Sequence, residues 1–355
     1  MKVESMIFFM PRQTRHAAGT RPTKYKQKHR NGIMKTTHTL LAAALAALTL
    51  APATALASCG ASFCAVNTNW TAESVLAESS NAFEVRYEYM NQDQPMFGSD
   101  KVYAGQVHAH HDEVSTSNRN VVLSYSHGFG NGFGVMVSGA AGERDHFHIH
   151  NHHGAKIEDN WKFTKLNDIR VLGRYQFASV DNPLAPASAG VTFGVKLPTG
   201  AFDVANGAGA KAERSMQPGT GTTDLILGGY YHKKLTEAGV SWFAQAQYQH
   251  ALNTRDNYRP GAQLGVDVGV RKSLPGNFGV LAQLNYVHKS ADSGSESEPD
   301  SSGGRFLYAS PGVSYALPSA MQLIAFYQVP VHRHVRGVQL TANHALVLGL
   351  SGQIK

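Results

Sequence analysis

From Asn81 to the C-terminus the chain is a run of short alternating segments, joined by connectors that are long, then short, then long again. This rhythm constrains the fold more than any other feature. Outer-membrane barrels have short periplasmic turns, longer external loops, and segments of roughly 10 residues that alternate apolar-out with polar-in. Twelve candidate strands lie near 82–90, 118–127, 133–140, 168–177, 189–197, 223–232, 239–249, 260–272, 277–288, 304–316, 320–331 and 338–350. The connectors 91–117, 141–167 and 198–222 are much longer than those between them. An even strand number lets both ends of a closed barrel lie on one side.

The faces of individual strands agree. Phe83, Val85, Tyr87 and Tyr89 alternate with Glu84, Arg86 and Glu88. Trp242, Ala244, Ala246 and Tyr248 alternate with Gln245, Gln247 and Gln249, and Leu264, Val266, Val268 and Val270 with Gly265, Asp267, Gly269 and Arg271. A period of two is a strand signal rather than a helix signal. A soluble barrel would alternate as well, with its apolar face turned inward, so the targeting segment decides between them.

Residues 34–57 read as a secretory signal peptide: Met34-Lys35, an apolar stretch Leu40–Leu50, then Ala55-Leu56-Ala57 as a small-residue cleavage site. Residues 1–33 are basic and lack an apolar period, so they read as a non-native extension from an early start codon. They hold eight Lys or Arg and one acid, a net of +7, which equals the net charge of the whole chain. The basic balance therefore belongs to this extension, and nucleic-acid binding loses its support. Residues 58–80 are polar and small and read as a periplasmic tail or plug, and 81–355 as the outer-membrane barrel. The domain order is thus extension, signal, tail, barrel.

Cys59 and Cys64 are the two cysteines. Export to an oxidising compartment permits a disulfide between them. Leu56-Ala57-Ser58-Cys59 equally fits the sequence before a lipidated bacterial cysteine. A metal pair ranks third, because two thiolates underfill a zinc site. Two stretches of low complexity, Ala205–Gly221 and Ser290–Gly304, are expected to be mobile loops unable to bury a core.

The chemically unusual feature is histidine. Of 18 in the chain, eight are packed into two clusters expected in the first two external loops: His108, His110 and His111, then His146, His148, His150, His152 and His153. In an extended segment, residues two apart point to the same side, roughly 6.5–7 Å apart. His146, His148, His150 and His152 then form one imidazole row, and Asp145 or a histidine of the first cluster can complete a tetrahedron. Imidazole suits Zn, Cu or Ni. The plainer reading is a set of solvated loop residues, and a pH response is a third. His332 and His334 are expected in the last external connector.

Residues expected to face the lumen are Glu84, Arg86, Glu88, Arg170, Arg174, Lys196, Asp267, Arg271 and Gln283. Small barrels fill their interiors with side chains, so a mutually satisfied network is the structural reading of this set. Both signs are present, so no ion selectivity follows. Catalytic residues are not expected: no Gly-x-Ser-x-Gly nucleophile motif occurs, and His127 falls at a predicted periplasmic turn.

The start Cys59-Gly-Ala-Ser-Phe-Cys64-Ala-Val-Asn-Thr-Asn-Trp70, the Val85-Arg-Tyr-Glu-Tyr89 strand, Asn91-Gln-Asp-Gln94 and the His-rich second cluster resemble a group of bacterial outer-membrane barrels. These are similar to the transporter family named for the MetA pathway of phenol degradation. The resemblance implies a barrel that passes small molecules, and it supplies no functional residues.

The sequence reading is therefore an all-β, transmembrane, antiparallel up-and-down barrel of about 12 strands in the bacterial outer membrane. It is expected to act as a passive channel for a small solute, with lipid and that solute as its partners, and not as an enzyme. The competing classes are a metal-binding or adhesive surface barrel with a closed lumen and, further off, an outer-membrane hydrolase.

Overall fold

The computed structural model describes residues 81–107, 112–152 and 155–354. The signal, the tail, Cys59, Cys64, His108, His110, His111 and His153 lie outside the described residues.

The described chain forms fourteen strands: β1 (Asn81–Phe97), β2 (Asp100–Lys101), β3 (Asp112–Gly130), β4 (Phe133–His152), β5 (Ala155–Leu166), β6 (Ile169–Val180), β7 (Ala187–Leu197), β8 (Asp224–Leu235), β9 (Val240–Ala251), β10 (Gln263–Ser273), β11 (Phe278–Lys289), β12 (Gly304–Leu317), β13 (Met321–Val335) and β14 (Val338–Ile354). Twelve of them pair antiparallel in sequence order, and β14 returns to β1 through the register Asn81↔Ile354 to Phe97↔Val338. The barrel is closed. Closure leaves no unpaired edge among the twelve, which lipid demands because it offers backbone groups no hydrogen bonds. The two extra strands are local: β2 pairs with the end of β1, and β5 folds back along the outer half of β4.

The apolar faces point outward. Val121, Leu123 and Tyr125 of β3 are 44%, 58% and 46% exposed, whereas inward-facing Glu84 and Lys196 are 8% and 4%. A water-soluble barrel would reverse this order, so the outside is a lipid surface. Aromatic rings cluster near the short-turn end: Phe133 stacks on Tyr175 at 4.4 Å, and the tilted pairs Phe278–Tyr315 and Tyr231–Trp242 lie at 4.8 Å and 5.0 Å. Such girdles mark a membrane–water interface. Short turns join the strands at this periplasmic end. At Asn131, Ser319 and Ala320 the backbone has positive φ, the geometry that matches the twist of a two-residue hairpin.

The far end differs from the sequence expectation. The connectors 91–117 and 141–167 are strand for most of their length: β3 and β4 run to 19 and 20 residues, against 11 for β7 and β10. The second histidine cluster therefore begins within β4 rather than in a loop, and His332 and His334 belong to β13. Beyond the lipid band charged residues enter the outer face of these strands, so the apolar contrast that marks a strand fades while the hydrogen-bonded ladder continues. The outer-face ion pairs Arg119–Glu143 (2.8 Å) and Lys162–Asp145 (3.5 Å) show where the apolar band has ended. Among the described residues no helix is long and apolar enough to cross a membrane.

Candidate functional site

The connector between β7 and β8, residues 198–223, folds inward across the barrel mouth. Its residues Ala212 and Met216 are buried with Trp161 of β5 and Leu340 of β14, and Phe163 packs against this cluster. Met216 is fully buried. This corrects the expectation of a mobile, coreless loop over Ala205–Gly221. Its small residues let the backbone approach others closely: a Cβ on Gly219 would lie 2.6 Å from Asp168 Oδ1. The stretch 290–304 is anchored at Asp292, Ser301 and Ser302, which are buried, with a 3₁₀ turn at Pro299–Ser301 and an exposed segment between.

Polar contacts pin both ends of the loop to the wall. Lys196 Nζ donates to Asp168 Oδ2 at 2.7 Å and to the Thr220 hydroxyl, and lies 3.4 Å from Asp224 Oδ2. Asp168 also accepts from the backbone N–H of Gly200 (2.9 Å) and of Thr220 (3.1 Å). Asp224 accepts from Thr222 Oγ1 at 2.7 Å and Gln249 Nε2 at 2.6 Å. Arg144 of β4 donates to the Met216 carbonyl and, through Nε, to Asn118 at 2.7 Å. At the tip, Gln217 closes a small turn by donating to the Ala212 and Val204 carbonyls and accepting from the Val204 N–H.

Two cavities flank this loop. The outer one, about 650 Å³, is lined by residues of β5, the inward loop and the next two loops, including Trp161, Glu213, Asp256, Asp292, Glu296 and Glu298. The inner one, about 230 Å³, lies toward the lumen and meets Asn118, Arg144, Lys196, Asp224 and Lys289. Burial, with Glu113 and Asp292 nearby, pushes the Glu298 carboxyl up to about 9. Glu213 is raised for the same reason, facing Glu298 and Glu113.

Below the loop the expected lumen residues form two patches. On β1, Arg86 bridges Glu88 (2.7 Å) and Glu84 (3.5 Å). Arg170 of β6 faces this group as well as Asp168 and Asp224. On the other wall, Asp267 accepts from Gln245 (2.8 Å) and Asn285 (2.7 Å), and Asn285 also meets Gln283 and Ser310. Arg271 reaches Ser314 at 3.3 Å, and the Arg174 guanidinium lies 3.6 Å above the Tyr230 ring. Lys196, the anchor of the inward loop, joins the first patch through Asp168 and Asp224, which Arg170 also faces.

The histidine row is described in part. His146 and His148 share the inward face of β4 and are buried, with ring centroids 5.3 Å apart. Thr116 Oγ1 meets His146 Nδ1 at 2.7 Å, and His146 Nε2 meets His148 Nδ1 at 3.3 Å. His148 also packs on Trp161 at 4.6 Å. Both His146 nitrogens are thus engaged within the protein. Among the described residues no group of three or more His, Cys, Asp or Glu is placed to hold a metal ion. The side chains of His150 and His152 lie outside those described. His334 contacts Ser99 at 2.9 Å, and His127 contacts Asn81 at 2.8 Å.

His146 lies beyond the lipid band, and burial together with Arg144 lowers its imidazole from 6.5 to about 3. The folded state keeps it neutral while an unfolded segment binds a proton below about 6.5. Stability is therefore expected to fall as pH drops from 6.5 toward 3. A tryptophan-fluorescence titration of the refolded protein should show a transition in that window. The His146→Gln variant, which cannot titrate, should show a smaller one.

Comparison with known proteins fits this geometry. The family model described as "Putative MetA-pathway of phenol degradation" matches residues 154–344. The chain belongs to this family. No curated protein matches it in sequence. Among solved structures, an outer membrane channel from Pseudomonas putida F1 is similar at 11% identity and a TM-score of 0.58, over 78% of this chain and 96% of that one. The NanC porin aligns at 10% identity and a TM-score of 0.41, over 77% of this chain and 100% of that one. The translocator domain of the autotransporter NalP from Neisseria meningitidis aligns at 8% and 0.41, over 80% and 92%. This MetA-pathway family member is thus a closed twelve-stranded barrel of the bacterial outer membrane type.

Sequence reasoning missed Asp168, Asp224, Arg144, Arg214 and Tyr258. The first two sit at strand ends, where alternation stops carrying information. Arg144 was accessible: it continues the inward even-numbered positions of β4 through His146 and His148. Arg214 and Tyr258 are loop residues, and only the path of the loops brings them together.

Proposed function

We propose that this barrel is a passive channel for a small solute, with passage set by the inward-folded loop 198–223. The observation that carries the reading is the pair of cavities on either side of that loop, inside a closed wall whose inward face is polar. A plug sealed by apolar packing alone would not leave a polar, partly open space below it. The charges along the lumen are met by ion pairs on β1 and by amides, a hydroxyl and a ring on the other strands, which suits a scaffold around the path better than a reaction centre. Family membership and the likeness to an outer membrane channel support the same reading. Residues 34–57 serve in it as the export signal.

The test is single-channel conductance of the refolded protein in a planar bilayer. Steady conductance is expected, and it should rise several-fold when residues 203–218 are replaced by a short Gly-Ser linker. A silent wild type together with a silent loop-deleted barrel, both shown folded by their β-sheet circular dichroism, would sink the proposal.

A further inference from the structure

The outer and inner cavities share four lining residues: Arg214, Ser215, Gln217 and Tyr258. These residues are the floor of one space and the roof of the other. Three come from the tip of the inward loop, and Tyr258 comes from the neighbouring connector between β9 and β10. We infer that Arg214 and Tyr258 form the constriction that determines which solutes pass, an inference that rests on the channel reading and deepens it.

Both residues are held in place. The Arg214 guanidinium donates to the carbonyls of Phe202 (2.9 Å), Thr220 (2.8 Å) and Arg255 (3.4 Å). It lies between two rings, 4.9 Å from the centroid of Phe202 and 5.1 Å from that of Tyr258. Tyr258 is 2% exposed. Its hydroxyl donates to Asp292 Oδ2 at 3.0 Å, and Asp292 Oδ1 is 2.8 Å from Lys289 Nζ. Asp292 Oδ1 also accepts the Gly261 N–H at 2.8 Å. Three connectors thus converge on one guanidinium–phenol pair. A guanidinium held this way keeps its geometry, since its fork of donors is fixed by backbone carbonyls.

The charge layout gives the constriction a selective role. The outer cavity carries Asp159, Asp203, Asp256 and Glu296 against Lys211 and Arg214, while Asp292 is compensated by Lys289. A cleft with an excess of one sign of charge raises the local concentration of the opposite sign, so cations collect above the partition. Arg214 is a fixed positive charge where the two cavities meet, and it opposes those cations as they pass. Entry and passage are therefore set by opposite charges a short distance apart, and neutral solutes pay least at either.

The test is the reversal potential of the refolded channel under a potassium chloride gradient. Arg214→Gln is expected to shift permeability several-fold toward potassium, and Arg214→Lys to hold it near wild type. Tyr258→Ala is expected to raise conductance with little change in ion preference. Ser215→Cys leaves the guanidinium in place; a charged methanethiosulfonate reagent should then reduce conductance, with the treated wild type as the control for Cys59 and Cys64. Conductance in the wild type with no shift in Arg214→Gln and no block in Ser215→Cys would overturn the constriction while leaving the channel intact. A silent wild type and silent loop-deleted barrel would overturn the channel itself. A silent wild type that conducts once Tyr258 is removed would support the partition as the seal.

Discussion

Replacing Lys196 with methionine is expected to destabilise the barrel mouth by about 3–5 kcal/mol, the usual cost of removing one partner from a buried ion pair. The Lys196 side chain is 5% exposed, and its partners Asp168 and Asp224 are 7% and 3%. The substitution leaves two carboxylates close together with no cation between them. It also removes the contact to Thr220, and with it the tie between the loop and β7. Urea unfolding of the refolded protein in detergent, followed by tryptophan fluorescence, should show the midpoint fall with little change in slope. Lys196→Met combined with Asp168→Asn should recover part of the loss, because one uncompensated charge is removed. An unchanged midpoint in the single variant would show that the triad does not hold the loop.

Trp161→Ala carries the second large effect, about 3–5 kcal/mol for truncating a buried aromatic in a packed core. Trp161 is 4% exposed, buries Met216 and Ala212 beneath it, and donates Nε1–H to the Ala210 carbonyl at 2.9 Å. Most of the loss should fall on docking of the inward loop rather than on the strands below the lipid boundary. Trypsin offers a direct readout, because Lys211 and Arg214 lie within the segment that would be released. Rapid cleavage there in Trp161→Ala, slow cleavage in wild type, and an intermediate rate in Trp161→Phe are expected. The phenylalanine retains most of the packing and loses the indole hydrogen bond, about 1 kcal/mol. Equal cleavage rates in all three would mean that Trp161 does not anchor the loop.

The acidic residues above the partition make the outer mouth respond to pH in two directions. His146 favours the folded state above about 6.5, as its lowered imidazole requires. Glu298, pushed up to about 9, works the other way: its unfolded form gives up a proton in the ordinary carboxylate range while the folded form keeps it. Its contribution therefore declines as pH rises toward 9. The two windows overlap: His146 adds stability as pH rises from about 3 to 6.5, Glu298 removes it from 4.5 to about 9, and above 6.5 the mouth is expected only to lose stability.

The strand count, the up-and-down order and the outward apolar face were legible in the sequence, because lipid imposes a strict alternation on every residue between the interfaces. Val121, Leu123 and Tyr125 announce their side of the wall without reference to any neighbour. The same alternation assigns Glu84, Arg86, Arg170, Lys196 and Asp267 to the opposite face. Above the lipid band that rule lapses. Strands β3 and β4 continue there with charged residues such as Arg119, Glu143 and Asp145 on the outer face, and β5 pairs with β4 where a loop was expected. The small, polar residues of 205–221 gave no sign of burial, because what buries Met216 is Trp161, about fifty residues earlier, and Leu340, over a hundred later. The sequence by itself therefore determined the wall and which side of it meets lipid. Only the tertiary structure decided how the mouth is closed, since loop residues there take their environment from partners distant in the chain, and no local period records those contacts.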